Sequence, residues 1–250
     1  MPSTTLRIPT ADGQADAFAA YPDQGEHPAV LMYGDAFGIR PVLRDMALEL
    51  AGHGYYVLVP NFFYRHGPAP LLDIPEHIDD EARDALVAQV MPLIHAHTTD
   101  RVLSDADAYL DFLATQPQVG DGPVAVTGYC IGGLLAVRTA LARPDRVAAV
   151  AGFHSPVGAV GLDALATLTA RAHFGHAATD ITPEALAELN QALDTAGVDY
   201  TSEIYPDTVH GFTMADTSAF SPTAARHHWD RLLPLLDRSQ GQSEGRLSFP

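Results

Sequence analysis

This 250-residue chain has one cysteine, Cys130, and no lysine; all 14 of its basic residues are arginine. A single cysteine excludes an internal disulfide and fits a reducing compartment, so the expected location is cytoplasmic. Without lysine there is no Schiff-base chemistry and no lysine base. Against the 14 arginines stand 31 acidic residues, a formal charge of −17, which argues against nucleic acid and anionic membranes as partners. No apolar run is long enough to cross a bilayer. The first residues, Met1-Pro2-Ser3-Thr4-Thr5, lack the basic-then-apolar pattern of a signal peptide. No internal repeat is visible at solenoid periods.

What the chain does have is a 47% hydrophobic composition with 19 prolines spread along it, the profile of a folded protein. Its length suits one large domain, expected over residues 1–238, with a polar tail, 239–250, expected to be mobile. Short apolar runs predict buried strands at 29–33, 55–59, 123–127 and 146–151, and the stretches 169–174 and 199–205 read as two further strands. Between them, helical periodicity predicts helices at 40–53, 134–142, 183–196 and 222–236. The stretch 79–113 has periodicity for two helices, with a break expected near Pro92 and Thr98-Thr99-Asp100. Residues 6–9 and 15–20 could pair as an edge hairpin. Strands alternating with helices, each strand apolar on both faces, imply an α/β fold: a mostly parallel central sheet with helices on both faces.

The cysteine lies in Gly128-Tyr129-Cys130-Ile131-Gly132-Gly133, between a predicted strand and a predicted helix. This is a strand–nucleophile–helix elbow with cysteine where serine is more common. Glycines two residues before and after the nucleophile fit because the turn is tight and a side chain there would strike the neighbouring strand or helix. The sulfur would stand at a helix N-terminus, where free N–H groups favour a thiolate or hold an oxyanion. The plain alternative is a small buried cysteine in a glycine turn.

A thiol nucleophile needs a base, and the base an orienting acid, in the chain order nucleophile, acid, histidine. Of 12 histidines, His210 follows the last predicted strand, in His210-Gly211-Phe212. The acid should leave the preceding strand. Asp180 is the candidate, though it also reads as a helix N-cap before Pro183; Asp163 and Asp207 are the alternatives. The segment 62–77, rich in proline and histidine, follows the second buried strand and reads as a pocket wall.

Over residues 5–237 the chain resembles the dienelactone hydrolase family of α/β-hydrolases. The resemblance is carried by the elbow, by Asp35-Ala36-Phe37-Gly38 after the first buried strand, and by His210-Gly211-Phe212. It implies the α/β-hydrolase fold, a Cys130–His210–Asp180 triad, and hydrolysis of lactones and esters without metal or organic cofactor. Family members also clasp a substrate carboxylate with arginines. One belongs shortly after the histidine, where this chain has Met214; Arg65 is the candidate for the other. The family's acid also comes sooner after its strand, where this chain reads Gly175-His176-Ala177-Ala178.

The expected chemistry is attack by the Cys130 thiolate on an ester carbonyl. The oxyanion would be held by the N–H of Ile131 and that of Phe37 or Ala36. His210 would then activate water against the acyl-thioester. Thiolate leaves as readily as it attacks, which suits esters and lactones better than amides. Asp35 has two readings: it raises the thiol pKa by like charge, or it caps its own turn. Phe62, Phe153, Tyr64, Phe37 and Met214 are the expected apolar pocket, so the partner is a small ester or lactone, neutral or larger than dienelactone. The chain would act as a monomer or homodimer. His95/His97, His173/His176 and His227/His228 lack the three-ligand set of a catalytic zinc, so no metal is expected. A non-catalytic ligand-binding protein on the same fold and a redox-sensing cysteine are the rival readings.

Overall fold

The computed structural model describes residues 1–239. Residues 3–20 turn back on themselves at Thr10–Gly13 as an antiparallel hairpin of β1 (Ser3–Thr10) and β2 (Gly13–Ala20). Its outer strand is largely exposed, as an edge strand can be, while β2 buries Ala15 and residues 17–20. β2 joins the rest of the sheet antiparallel to β4 (Tyr56–Pro60). From there all pairing is parallel, through β3 (Ala29–Tyr33), β5 (Val124–Tyr129), β6 (Val147–Phe153), β7 (Arg171–Ala177) and β8 (Tyr200–Tyr205). The order is β1-β2-β4-β3-β5-β6-β7-β8.

Successive strand residues enter opposite cores. Leu31 and Tyr33 pack on one face, beneath α3 (Thr99–Ala114), α4 (Ile131–Ala142) and α6 (Pro183–Ala196). Met32 packs on the other, beneath α1 (Pro41–Gly52) and α7 (Pro222–Ser239). This two-sided burial explains why the strand sequences show no polar alternation. A short α5 (Leu162–Leu165) was not expected.

Three departures from the sequence reading matter. First, α2 (Asp80–Ala96) runs straight through Pro92; the break before α3 falls at His97–Thr98. Pro92 and Ala88, whose carbonyl loses its partner, are both exposed to solvent, where a missing helix bond is tolerated. Second, β5, β6 and β7 extend two or three residues beyond 127, 151 and 174, because Gly128, Gly152 and Gly175 pair within the ladder instead of ending it. Third, the expectation for the tail falls outside the described residues, apart from Ser239, which ends α7. Among the described residues no helix is long and apolar enough to cross a membrane.

The sheet positions the site through its order. β4 and β5 flank β3 on opposite sides, so the loops leaving β3 and β5 open a crevice at their carboxyl ends.

Candidate active site

Cys130 stands between β5 and α4 with φ 55° and ψ −125°, a left-handed conformation costly for a side-chain-bearing residue. Its N–H continues the ladder by donating to Phe153 O at 3.0 Å, which holds the strain in place. The flanking glycines are demanded by contact. A Cβ on Gly128 would lie 2.1 Å from Gly132 O, and one on Gly132 would lie 2.2 Å from Gly34 O. The elbow therefore packs directly against the loop leaving β3.

His210 lies on the loop after β8. Its Nδ1 is 2.7 Å from Asp180 Oδ2, and Cys130 is near enough to act on the charge of the ring. Burial opposes a charge on His210, but Asp180 and Cys130 outweigh it and push its pKa up to about 10. Asp180 sits in the turn after β7, with its N–H on Ala177 O. It does not cap α6; Thr182 does, accepting from the Ala185 N–H at 3.2 Å. Asp163 is exposed in the first turn of α5, and Asp207 occupies a left-handed turn at φ 56°.

Asp35 caps its own turn and pairs with a buried guanidinium. Oδ1 accepts from the Phe37 N–H at 3.1 Å, and both carboxylate oxygens accept from the Arg40 guanidinium, at 2.6 and 2.9 Å. Arg40 is itself buried and also donates to both oxygens of Asp216. Burial opposes the Arg40 charge, but the two carboxylates raise its pKa overall. Asp35 is thus paired with Arg40 while lining the same cavity as Cys130. Of the two N–H groups expected to share the oxyanion with Ile131, that of Phe37 is thereby engaged. The N–H groups of Ala36 and Ile131 have no hydrogen-bond partner among the described residues.

A cavity of about 300 Å³ opens on Cys130 and His210. Phe37 and Met214 line it. The other expected pocket residues do not. Phe62 packs on Phe63, Tyr33 and His97. Phe153 is fully buried between Tyr129 and His228. Tyr64 donates to Asp105 and accepts from Thr10. Arg65 is tied to Asp105 through two bonds and to Asp12 through a third, away from the thiol. The reason is topological: β4 is separated from β5 by β3, so the loop it feeds leaves on the far side of the crevice.

The missing wall is one face of α2: Arg83, Val87, Val90, Met91 and Ile94, spaced as successive helical turns. That spacing was readable; which face would cover the thiol was not. Arg83 has no carboxylate partner among the described residues. His154, just beyond β6, also lines the cavity and was not singled out from the sequence. Among the described residues no three metal-ligating side chains converge.

The fold, the elbow and the histidine loop can now be set beside known proteins. The chain is similar to the carboxymethylenebutenolidase of Pseudomonas sp. strain P51, with 28% identity over 229 residues covering 90% of this chain and 91% of that one. Among solved structures it resembles a Klebsiella pneumoniae protein provisionally named a dienelactone hydrolase, at 23% identity and TM-score 0.78, covering 95% and 98% of the two chains. A dienelactone hydrolase-like promiscuous phosphotriesterase from metagenomic libraries matches at 21% identity and TM-score 0.74, covering 95% and 99%. At these identities the structural likenesses speak for the α/β-hydrolase fold alone. The family model of dienelactone hydrolases matches residues 15–239, a span holding the elbow, the Asp180 turn and the histidine loop. On that match the chain belongs to the dienelactone hydrolase family.

Proposed function

We propose that this protein hydrolyses a carboxylic ester or lactone through Cys130, His210 and Asp180. The observation that carries the reading is His210, held by Asp180, lining one cavity with Cys130. In this reading Cys130 reacts as the thiolate while His210 holds the proton. The thiolate sulfur attacks the carbonyl carbon, and the oxyanion falls to the N–H groups of Ile131, at the N-terminus of α4, and Ala36. As the C–O bond breaks, His210 gives its proton to the leaving alkoxide. Neutral His210 then takes a proton from water, whose oxygen attacks the acyl-thioester. The acid departs and Cys130 returns as thiolate. Asp180 holds the Nδ1–H tautomer throughout.

The cavity supports a substrate class. Val87, Val90, Met91 and Ile94 suit a hydrocarbon portion, and Arg83, which has no carboxylate partner among the described residues, suits an anionic substituent on it. The carboxylate clasp sought at Arg65 is thus reassigned to α2. The test is turnover of p-nitrophenyl acetate and δ-valerolactone by wild type, Cys130→Ala, Cys130→Ser and His210→Ala. Loss of turnover by about a thousandfold or more in both alanine variants is expected. Equal slow rates in all four would sink the reading.

A further inference from the structure

His154 belongs to no part of the mechanism above, yet three of its features are costly. It is fully buried, its backbone is left-handed at φ 39°, and its Nδ1 has no hydrogen-bond partner among the described residues. A side chain kept only for packing would be apolar, and a left-handed site would take glycine or asparagine. Costs of this kind gather where a geometry has to be held.

Its contacts show what it touches. The His154 ring packs edge-on against the His210 ring at 5.1 Å between centroids and 71° between planes. It meets Phe212 in the same manner at 5.2 Å. Nε2 lies 2.8 Å from Thr213 Oγ1. Three residues of the histidine loop are thus gripped by one imidazole. From the other side, the His154 N–H donates to Gly175 O at 2.7 Å, on β7, whose following turn carries Asp180.

We propose that His154 is a positioning residue: a strut from the ends of β6 and β7 that fixes the His210 ring against Cys130. The proposal rests on the triad reading above. A flat ring with a polar atom fills the role, since a phenyl ring would lose Thr213 and a glutamine would lose the ring contact with His210. Burial, followed by the neighbouring histidines His210 and His228, holds the His154 pKa well below the usual histidine range. The strut therefore adds no positive charge beside His210.

The test uses the chain's single thiol. The pH dependence of iodoacetamide alkylation reads the Cys130 thiolate without any substrate. The ionisable groups around that thiol are His210 with Asp180 behind it, His154, Asp35 with Arg40, and Arg83. The variants are His154→Phe, Thr213→Val and, as the conservative control, Thr213→Ser. For His154→Phe and Thr213→Val we expect kcat on p-nitrophenyl acetate to fall about ten- to a hundredfold with KM unchanged. The alkylation limb should move to higher pH, because a loosely held imidazolium stabilises the thiolate less. Thr213→Ser should restore both. If both variants fold with wild-type kcat and a wild-type alkylation profile, the strut is overturned. Should His154→Phe fail to fold, Thr213→Val against Thr213→Ser decides alone. If instead turnover survives in Cys130→Ala and His210→Ala, the hydrolase reading is what fails, and the alkylation profile still judges the strut.

Discussion

Two groups of histidines lie close together in this molecule, and their pKa values move in opposite directions. At the crevice, His210 is held by Asp180 near Cys130 and its pKa is pushed up to about 10. In the interior, burial pushes His173 and His228 down to about 3. His228 sits against Tyr129 at 2.9 Å, and His173 lies between Thr201 and Tyr205. Those hydroxyls can serve a neutral imidazole but cannot balance a cation. The difference teaches that anionic partners, and not depth alone, decide which imidazole is charged.

The largest expected effect comes from removing the acidic partner. Asp180→Asn should lower kcat/KM by about a hundredfold or more, and His210 should lose its raised pKa and come to resemble the interior histidines. An NMR titration of His210 checks this; a value still near 10 would mean that Cys130 alone supports the charge. The next effect acts on stability. His97 and His176, down to about 4, join His173 and His228 in binding protons readily only when unfolded. Between an unfolded value of about 6.5 and folded values of 3 to 4 the unfolded state therefore holds more protons, so stability is full above that window and falls as pH drops through it. Each histidine contributes a slope of about 1.4 kcal/mol per pH unit. His210 has the opposite sign, its contribution present below about 6.5 and lost as pH rises toward 10. Urea midpoints from pH 8 to 4.5 should show the acid slope, reduced in His173→Gln and His228→Gln; an unchanged slope would clear these residues. A smaller effect extends the comparison to arginine. Arg65→Ala strands Asp105, which is 1% exposed, and should cost about 3 kcal/mol of stability while the folded fraction keeps its kcat/KM. A fall in kcat/KM without destabilisation would return Arg65 to the pocket.

Much of this was legible in the chain, and the limits are physical. Runs such as Ala29-Val30-Leu31-Met32-Tyr33 announce a strand buried on both faces, because nothing polar could survive on either side. The elbow was legible because its glycines answer to backbone contacts fixed within a few residues and the adjoining loop. Asp180 was readable as an acid in the right place, although its freedom depends on Thr182 taking the cap. The pocket wall was not legible. Placing 62–77 beside the thiol required knowing that β3 lies between β4 and β5, a long-range fact. Phe153 was a miss by one residue: side chains alternate along β6, so Phe153 enters the core and His154 reaches the cavity. Pro92 misled because an exposed helix face tolerates a proline.

Arg40 gives the rim of the crevice a mechanical character. One buried guanidinium holds Asp35, on the loop that offers the Ala36 N–H, and Asp216, on the loop that follows His210. Asp216 O in turn accepts from the Ile78 N–H, just ahead of the helix that walls the cavity. Three stretches remote in sequence are thus riveted at one point. The fastening lies on the same cavity rim as the α2 face, whose Met91 is exposed.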